Sequence, residues 1–373
     1  MPNFIDRLND QLSEEIKKQE LRETLTNHAM PHEQALRTLM QAHWHTLPKL
    51  DGAAHRPGFA VDGSRAVRHL ANGAYLFVAQ ALLIGEQWDE SDVDVRILPG
   101  STDAAVVERF AGLMMHQLEV GLAARFAAQM PVGSVVFLDG ALYGQLSSLY
   151  PMELPQSGNS LPDYVIDLPQ AIVNLYTDLF QACRARQLML ISIAKTSHER
   201  AHGETWWRNT HPDLEMPREM SDSEMIYRWT EKRAGCSTPI LFGKKAVFRG
   251  SGRELRDSLK NVPAIVSFFV RMEEFDDALR IDVPASCLDL AATVGDVAEP
   301  RLIEIRQVEP VLKLLAADYG GLEVYNALLY SVDREVRLRQ EVMDEVYLSM
   351  IQSALGNDVE VRLDRSERRF HTA

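Results

Sequence analysis

Cysteine is scarce in this chain of 373 residues: Cys183, Cys236 and Cys287 are the only three, and they lie far apart. An odd, scattered set supplies neither a disulfide framework nor a paired-cysteine zinc site. Long apolar runs are missing too. None approaches the ~20 residues that cross a bilayer, so no membrane span is expected. Met1-Pro2-Asn3-Phe4-Ile5-Asp6 has no basic stretch leading into an apolar core, and a cytoplasmic protein without a secretory signal is expected. There is no Gly-x-x-x-x-Gly-Lys-Ser/Thr phosphate loop, which argues against bound ATP. Positive charge is in deficit: the formal net charge of −14 speaks against a broad nucleic-acid surface. What remains, 46% hydrophobic and 25% charged residues, suits a protein with a sizeable core.

Basic residues do gather once. Between Ile226 and Lys260 nine Lys and Arg stand against three acids. Such a segment can hold a phosphate backbone locally, or simply be a solvated face. Trp206-Trp207 and Trp229 lie near it, where aromatics either stack on unpaired bases or, more commonly, pack against a core.

Residues 1–45, rich in Glu, Lys, Leu and Gln, read as helical, and 53–57 as a linker. Strand-like runs follow at 59–62, 74–84 and 93–98, the last two forming a hairpin. Ser101-Thr102-Asp103 caps a helix over 104–130, whose apolar residues recur at three- and four-residue spacing. Pro131-Val132-Gly133 stops it. The apolar run 135–138 reads as a strand buried on both faces. A Pro/Ser/Gly-rich loop (150–162), a helix (168–186) and a fifth strand (188–194) come next. Residues 200–260 break the rhythm and read as an insertion. Strands resume at 264–271 and 279–283, a long helix is predicted over 325–355, and Arg362, Arg365, Arg368 and Arg369 mark a charged tail. The expected division is an N-terminal helical extension (1–50), a main domain (51–355, with the insertion at about 200–260) and the tail (356–373). Strand, strand, strand, helix, strand, helix, strand is the order of a ribonuclease H-like α/β fold, a mixed sheet flanked by helices.

Two tetrads carry the chemistry. Val61-Asp62-Gly63-Ser64 and Phe137-Leu138-Asp139-Gly140 each place a carboxylate where an apolar strand is expected to give way to a glycine turn. Either Asp alone is explained by turn formation. Two of them, at strand ends that this topology sets side by side, point to a divalent-metal site. A buried carboxylate is costly unless a cation meets it, and carboxylate oxygens suit Mg2+ or Mn2+. A pair of such ions clamps the attacking and leaving oxygens of a phosphodiester. A third acid is expected from the intervening helix. Glu108 and Glu119 lie three turns apart on one face. Glu119, amid Leu118, Val120 and Leu122, is preferred, because Glu108 nearer the helix start has an ordinary dipole role. Lys195, closing the fifth strand, is placed to meet a substrate phosphate, or merely ends the strand. Tyr325 and Asp333 sit on what otherwise reads as an amphipathic helix.

These pieces together resemble the NurA nuclease family: Ala60-Val61-Asp62-Gly63-Ser64, Glu119, Leu138-Asp139-Gly140-Ala141-Leu142, Ser192-Ile193-Ala194-Lys195-Thr196-Ser197 and the segment from Tyr325 to Asp333, in family order. The resemblance implies a ribonuclease H-like fold and a Mn2+-dependent (or Mg2+-dependent) deoxyribonuclease that acts on single strands and, 5′→3′, on DNA ends. It also implies a homodimer docked on a HerA-type hexameric ATPase in DNA end processing or phage defence. It gives Asp62, Glu119, Asp139, Lys195, Tyr325 and Asp333 as catalytic, the four acids as metal ligands. One departure stands out: the family has histidine eight residues beyond the tyrosine, where this chain has Asp333. An aspartate binds hard cations but cannot exchange protons near neutrality as imidazole does.

Three rivals compete. His198-Glu199-Arg200-Ala201-His202 fits the H-E-x-x-H pattern of zinc proteases, with Glu219 or Glu224 as third ligand. It follows a strand directly, however, and runs into Gly203. An actin-like phosphotransferase also starts with Asp-Gly, but needs phosphate hairpins absent here. A non-catalytic adaptor that clamps DNA or caps a translocase would be compatible with the acidic charge and the missing histidine.

Overall fold

In the computed structural model the described residues are 4–17, 32–50, 56–86, 88–152, 161–213, 216, 220–249, 252–356 and 361–364. The helix expected through 18–31, part of the 53–57 linker, most of the 150–162 loop, Glu219 and the tail arginines Arg365, Arg368 and Arg369 lie outside them. Helices Phe4–Lys17 (α1) and Glu33–His43 (α2) precede a two-residue strand, Trp44–His45 (β1). Three long strands follow, Gly58–His69 (β2), Tyr75–Gly85 (β3) and Asp89–Leu98 (β4). Then come Ala104–Ala127 (α3), Val135–Asp139 (β5), Leu142–Ser147 (α4), Leu168–Arg186 (α5) and Met189–Ala194 (β6). The next stretch holds Ala201–Thr210 (α6), Asp222–Trp229 (α7), Gly235–Ser237 (β7) and Ile240–Phe242 (β8). Ile265–Arg271 (β9), Leu279–Pro284 (β10), Arg301–Leu302 (β11), Glu309–Ala317 (α8) and Ala327–Val336 (α9) follow.

All described strands join one mixed sheet, ordered β1-β7-β9-β10-β6-β5-β2-β3-β4, with β8 pairing β9 and β11. β2, β3 and β4 form an antiparallel meander, while β5 lies parallel to β2 and β6 parallel to β5. This is the ribonuclease H-like arrangement. Short apolar β5 and β6 are buried on both faces because helices cover both. Val61, Val136 and Leu138 pack toward α3 and α5, in one core with Phe110, Met114 and Ile172. Ala60, Phe137, Ile191 and Ile193 pack toward α8 and α9, with Val311, Leu312, Leu329 and Val332. Alternation of side chains thus assigns every residue of these strands to a face.

Three expectations are corrected. The first strand does not end at Asp62: β2 runs on for seven residues beyond it, because pairing with β3 continues from Phe59↔Gly85 to His69↔Tyr75. The long helix over 325–355 is interrupted. After Val336 the chain turns extended at Arg337, and the Leu338 amide donates to Ser64 Oγ at 2.8 Å before helix resumes at Gln340. Residues 200–260, expected as an insertion, supply β7 and β8 to the sheet, and through β7 they pair with β1 of the N-terminal segment.

Candidate active site

β2 and β5 run parallel, with Val61 beside Leu138, so Asp62 and Asp139 are the next residue on each strand. By alternation both share the parity of Ala60 and Phe137, on the α9 side of the sheet. Asp62 is buried, at 7% exposure. Asp139 closes β5, and Gly140, at φ +96°, makes the expected turn toward α4. Gly63 does something different from what the sequence suggested. It lies inside β2 and makes room: a Cβ there would stand 2.5 Å from Glu119 Oε1 and 2.8 Å from Met115 Cγ. Only a residue without a side chain lets Glu119, carried by α3 on the opposite face, reach over the strand toward Asp62.

α3 starts at Asp103, whose carboxylate accepts from the Ala105 amide at 2.9 Å. Of its two candidate acids, Glu119 is buried against the strand, whereas Glu108 is exposed and paired with Arg65. Gly63→Ala is therefore expected to displace Glu119 and cost about 1–3 kcal/mol through overpacking. Thermal unfolding checks this; an unchanged melting temperature would mean that space exists where the geometry leaves none.

Lys195 follows β6, with Nζ 3.7 Å from Asp139 Oδ1 and 3.5 Å from Asp333 Oδ1, and 5.2 Å from the Tyr325 ring centroid. Asp333 is exposed on α9. Tyr325 lies just before the helix, ahead of Asn326, whose side chain caps the Leu329 amide at 2.9 Å. So Asp139, Lys195, Tyr325 and Asp333 meet at one edge, and Asp62, Glu119, Asp139 and Asp333 line a single cavity of about 530 Å3.

The electrostatics follow from burial and like charge. Asp62 is pushed up to about 7, first by desolvation and then by Asp139 and Glu119, against the Gly63 amide that lowers it. Asp139 is also raised: burial dominates, Lys195 opposes it, and Glu119 and Asp333 add to it. Burial raises Tyr325 to about 12, helped by Asp139. For Lys195 burial acts downward, but Asp139, Tyr325 and Asp333 outweigh it and hold the ammonium above its ordinary range.

This donor set fits a hard divalent cation. The oxygens are carboxylate, and Asp139 Oδ1 is buried with no hydrogen bond, facing only the Lys195 ammonium 3.7 Å away. Among the described residues no three or more His, Cys, Asp or Glu side chains stand close enough together to hold a metal ion as placed.

Sequence reasoning missed the lining around the acids. His116, Tyr176 and Gln145 form a buried hydrogen-bonded chain beside Glu119. Arg109 and Tyr150 line the same cavity, the guanidinium carbon 3.5 Å from the ring centroid. One signal was available: Arg109, His116 and Glu119 share a helix face at spacings of seven and three.

The zinc-protease reading fails. α6 begins at Ala201, so His198 and Glu199 precede it, and the two imidazoles do not share a helix face. Glu199 pairs with Arg280 instead. His202 is fully buried, with Nδ1 3.2 Å from Asp222 Oδ2, and Asp222 also accepts from the His202 and Gly203 amides at 3.0 and 2.8 Å. Glu224 pairs with Arg228. Trp206, Trp207 and Trp229 are buried and offer no stacking face to a base. In the basic segment Arg228, Arg233, Lys245 and Lys260 are each paired with an acid, so it is not a bare cationic stripe. Among the described residues no helix is long and apolar enough to cross a membrane.

A mixed sheet of this topology, with carboxylates from adjacent strand positions and from the covering helix, defines the ribonuclease H-like class. Within it, the NurA domain model matches residues 58–338, and the chain belongs to the NurA family. Among solved structures it is similar to the NurA nuclease from Sulfolobus solfataricus, with a TM-score of 0.61 and 16% identity over 95% of this chain and 98% of that one. It is also similar to a NurA bound to dAMP and manganese, with a TM-score of 0.52 and 13% identity over 98% of each chain. No curated protein matches it by sequence.

Proposed function

We propose that this chain hydrolyses DNA phosphodiester bonds in the cavity lined by Asp62, Glu119 and Asp139. The observation that carries the reading is that three buried or half-buried carboxylates, from β2, β5 and α3, line one cavity, with Lys195 beside Asp139. Asp62, Glu119, Asp139 and Asp333 would hold Mn2+ or Mg2+, which when bound polarises a phosphoryl oxygen and lowers the pKa of a bound water. Lys195 is a fixed cation at the edge of the site and would meet the scissile phosphate, offsetting charge as it develops. Tyr325, its hydroxyl buried and protonated across the physiological range, would donate to a phosphate oxygen or orient the nucleophilic water. Asp333, where the family has histidine, would serve as a further carboxylate ligand from α9.

Family likeness supports the finer reading: single-strand endonuclease and 5′→3′ exonuclease action by a cytoplasmic homodimer working with a HerA-type hexameric ATPase, in DNA end processing or phage defence. Residues 1–50 would then be an extension to a catalytic unit of 51–355, with 356–373 a tail. The test is incubation of the purified chain with single-stranded and blunt duplex DNA in Mn2+, Mg2+ or EDTA. Cleavage is expected with the cations and none with EDTA, and Lys195→Ala should lower kcat about 100-fold. Binding without cleavage in every cation would favour the clamp or adaptor reading instead.

A further inference from the structure

We infer that His116 and Tyr176 are positioning residues of the carboxylate site: with Gln145 they hold the Glu119 carboxylate and the Asp139 turn in one hydrogen-bonded frame that presets them for a divalent cation. The inference rests on the phosphodiester-hydrolase reading and deepens it. Three elements contribute to the frame. His116 on α3 sets Nδ1 3.3 Å from Glu119 Oε2, and its Nε2 lies 2.9 Å from the hydroxyl of Tyr176 on α5. That hydroxyl donates to Gln145 Oε1 on α4 at 3.0 Å, and Gln145 Nε2 donates to the Asp139 carbonyl at 3.3 Å. Tyr176 is fully buried and His116 nearly so.

Placing an imidazole and a phenol in a core, beside a half-buried amide, costs desolvation that apolar residues would avoid. Here each of those polar atoms is engaged in a link that ends on a residue of the site. Glu119 is gripped through Oε2, while Oε1 rests over Gly63 toward Asp62. Gly140 completes the frame at the other end, since a Cβ there would stand 2.9 Å from Gln145 Nε2. An anchored ligand loses less freedom when a cation arrives, and partners of this kind are worth 10- to 100-fold in metal affinity.

The experiment uses the intact chain and four variants: His116→Ala, His116→Asn, Tyr176→Phe and, as reference, Asp62→Asn. Mn2+ binding is read without DNA from the electron paramagnetic resonance of the free ion, beside melting temperature and kcat and KM on an oligonucleotide. His116→Ala and Tyr176→Phe should weaken Mn2+ binding about 10-fold and lower kcat with KM unchanged. His116→Asn, which restores a donor near Nδ1, should recover most of the Mn2+ affinity without recovering the melting temperature. Tyr176→Phe keeps the ring packing, so the inference stays testable if His116→Ala does not fold. Wild-type Mn2+ affinity and kcat in both, beside an inactive Asp62→Asn, would overturn the positioning assignment alone. Undiminished cleavage by Asp62→Asn would instead overturn the hydrolase reading.

Discussion

Asp62→Asn and Asp139→Asn, each alone, are expected to lower DNA cleavage by about 1,000-fold or more, a loss of ~4 kcal/mol in transition-state stabilisation. Each change is isosteric and removes one anionic oxygen from a site whose function is to concentrate them. At Asp139 the loss falls on the carboxylate whose Oδ1 is buried without a hydrogen bond and pairs with the Lys195 ammonium 3.7 Å away. DNA binding should survive or strengthen, because each variant removes negative charge from the cavity that the phosphate backbone must enter. Single-turnover cleavage and filter binding on the same oligonucleotide separate the two effects. Cleavage at a wild-type rate by either variant would show that the chemistry happens elsewhere.

The same substitutions should make the protein more stable in the absence of divalent cations at alkaline pH. Asp62 is pushed up to about 7 in the folded chain by desolvation and by Asp139 and Glu119. In the unfolded chain it titrates near 3.8, the ordinary value. Between these values the folded state binds more protons than the unfolded one, so stability must fall as pH rises from about 4 to about 7. The full shift corresponds to on the order of 4 kcal/mol. Asp139, raised in the same direction, adds to the slope. Asp62→Asn should flatten the profile, gaining at pH 8 and little at pH 4. A bound cation favours the deprotonated form, so Mn2+ should stabilise the wild type more at pH 8 than at pH 5. Urea denaturation across pH, with and without Mn2+, reads all of this. A wild-type profile that rises toward pH 8 in EDTA, parallel to that of Asp62→Asn, would contradict it.

Apolar β5 and β6, the capped helix α3 and the Asp-Gly steps were readable because local rules govern them: hydrophobic periodicity, an N-cap side chain, a glycine beside a carboxylate. Asp139-Gly140 behaved as such a step should, with the glycine at positive φ. Asp62-Gly63 did not. The same dipeptide stays extended because β3 offers a continuous pairing partner, a long-range fact invisible in the residues themselves. In the sequence Glu119 differs from Glu108 by its apolar neighbours, whereas in the structure the two acids are distinguished by the contact of α3 with Gly63 across the strand. His198 and His202 fit a motif by spacing, but the helix starts too late, and Asp222, twenty residues beyond His202, claims that imidazole. His116, Tyr176 and Gln145 escaped notice altogether, since only packing of α3, α4 and α5 brings them into one chain. The order and type of the central elements, and the place of Asp139 at the end of β5, were set by the sequence alone, through nearest-neighbour sterics and the burial of apolar side chains. Which carboxylates share a cavity, and what holds them there against their own repulsion, was decided by tertiary structure, because those contacts join residues far apart in the chain.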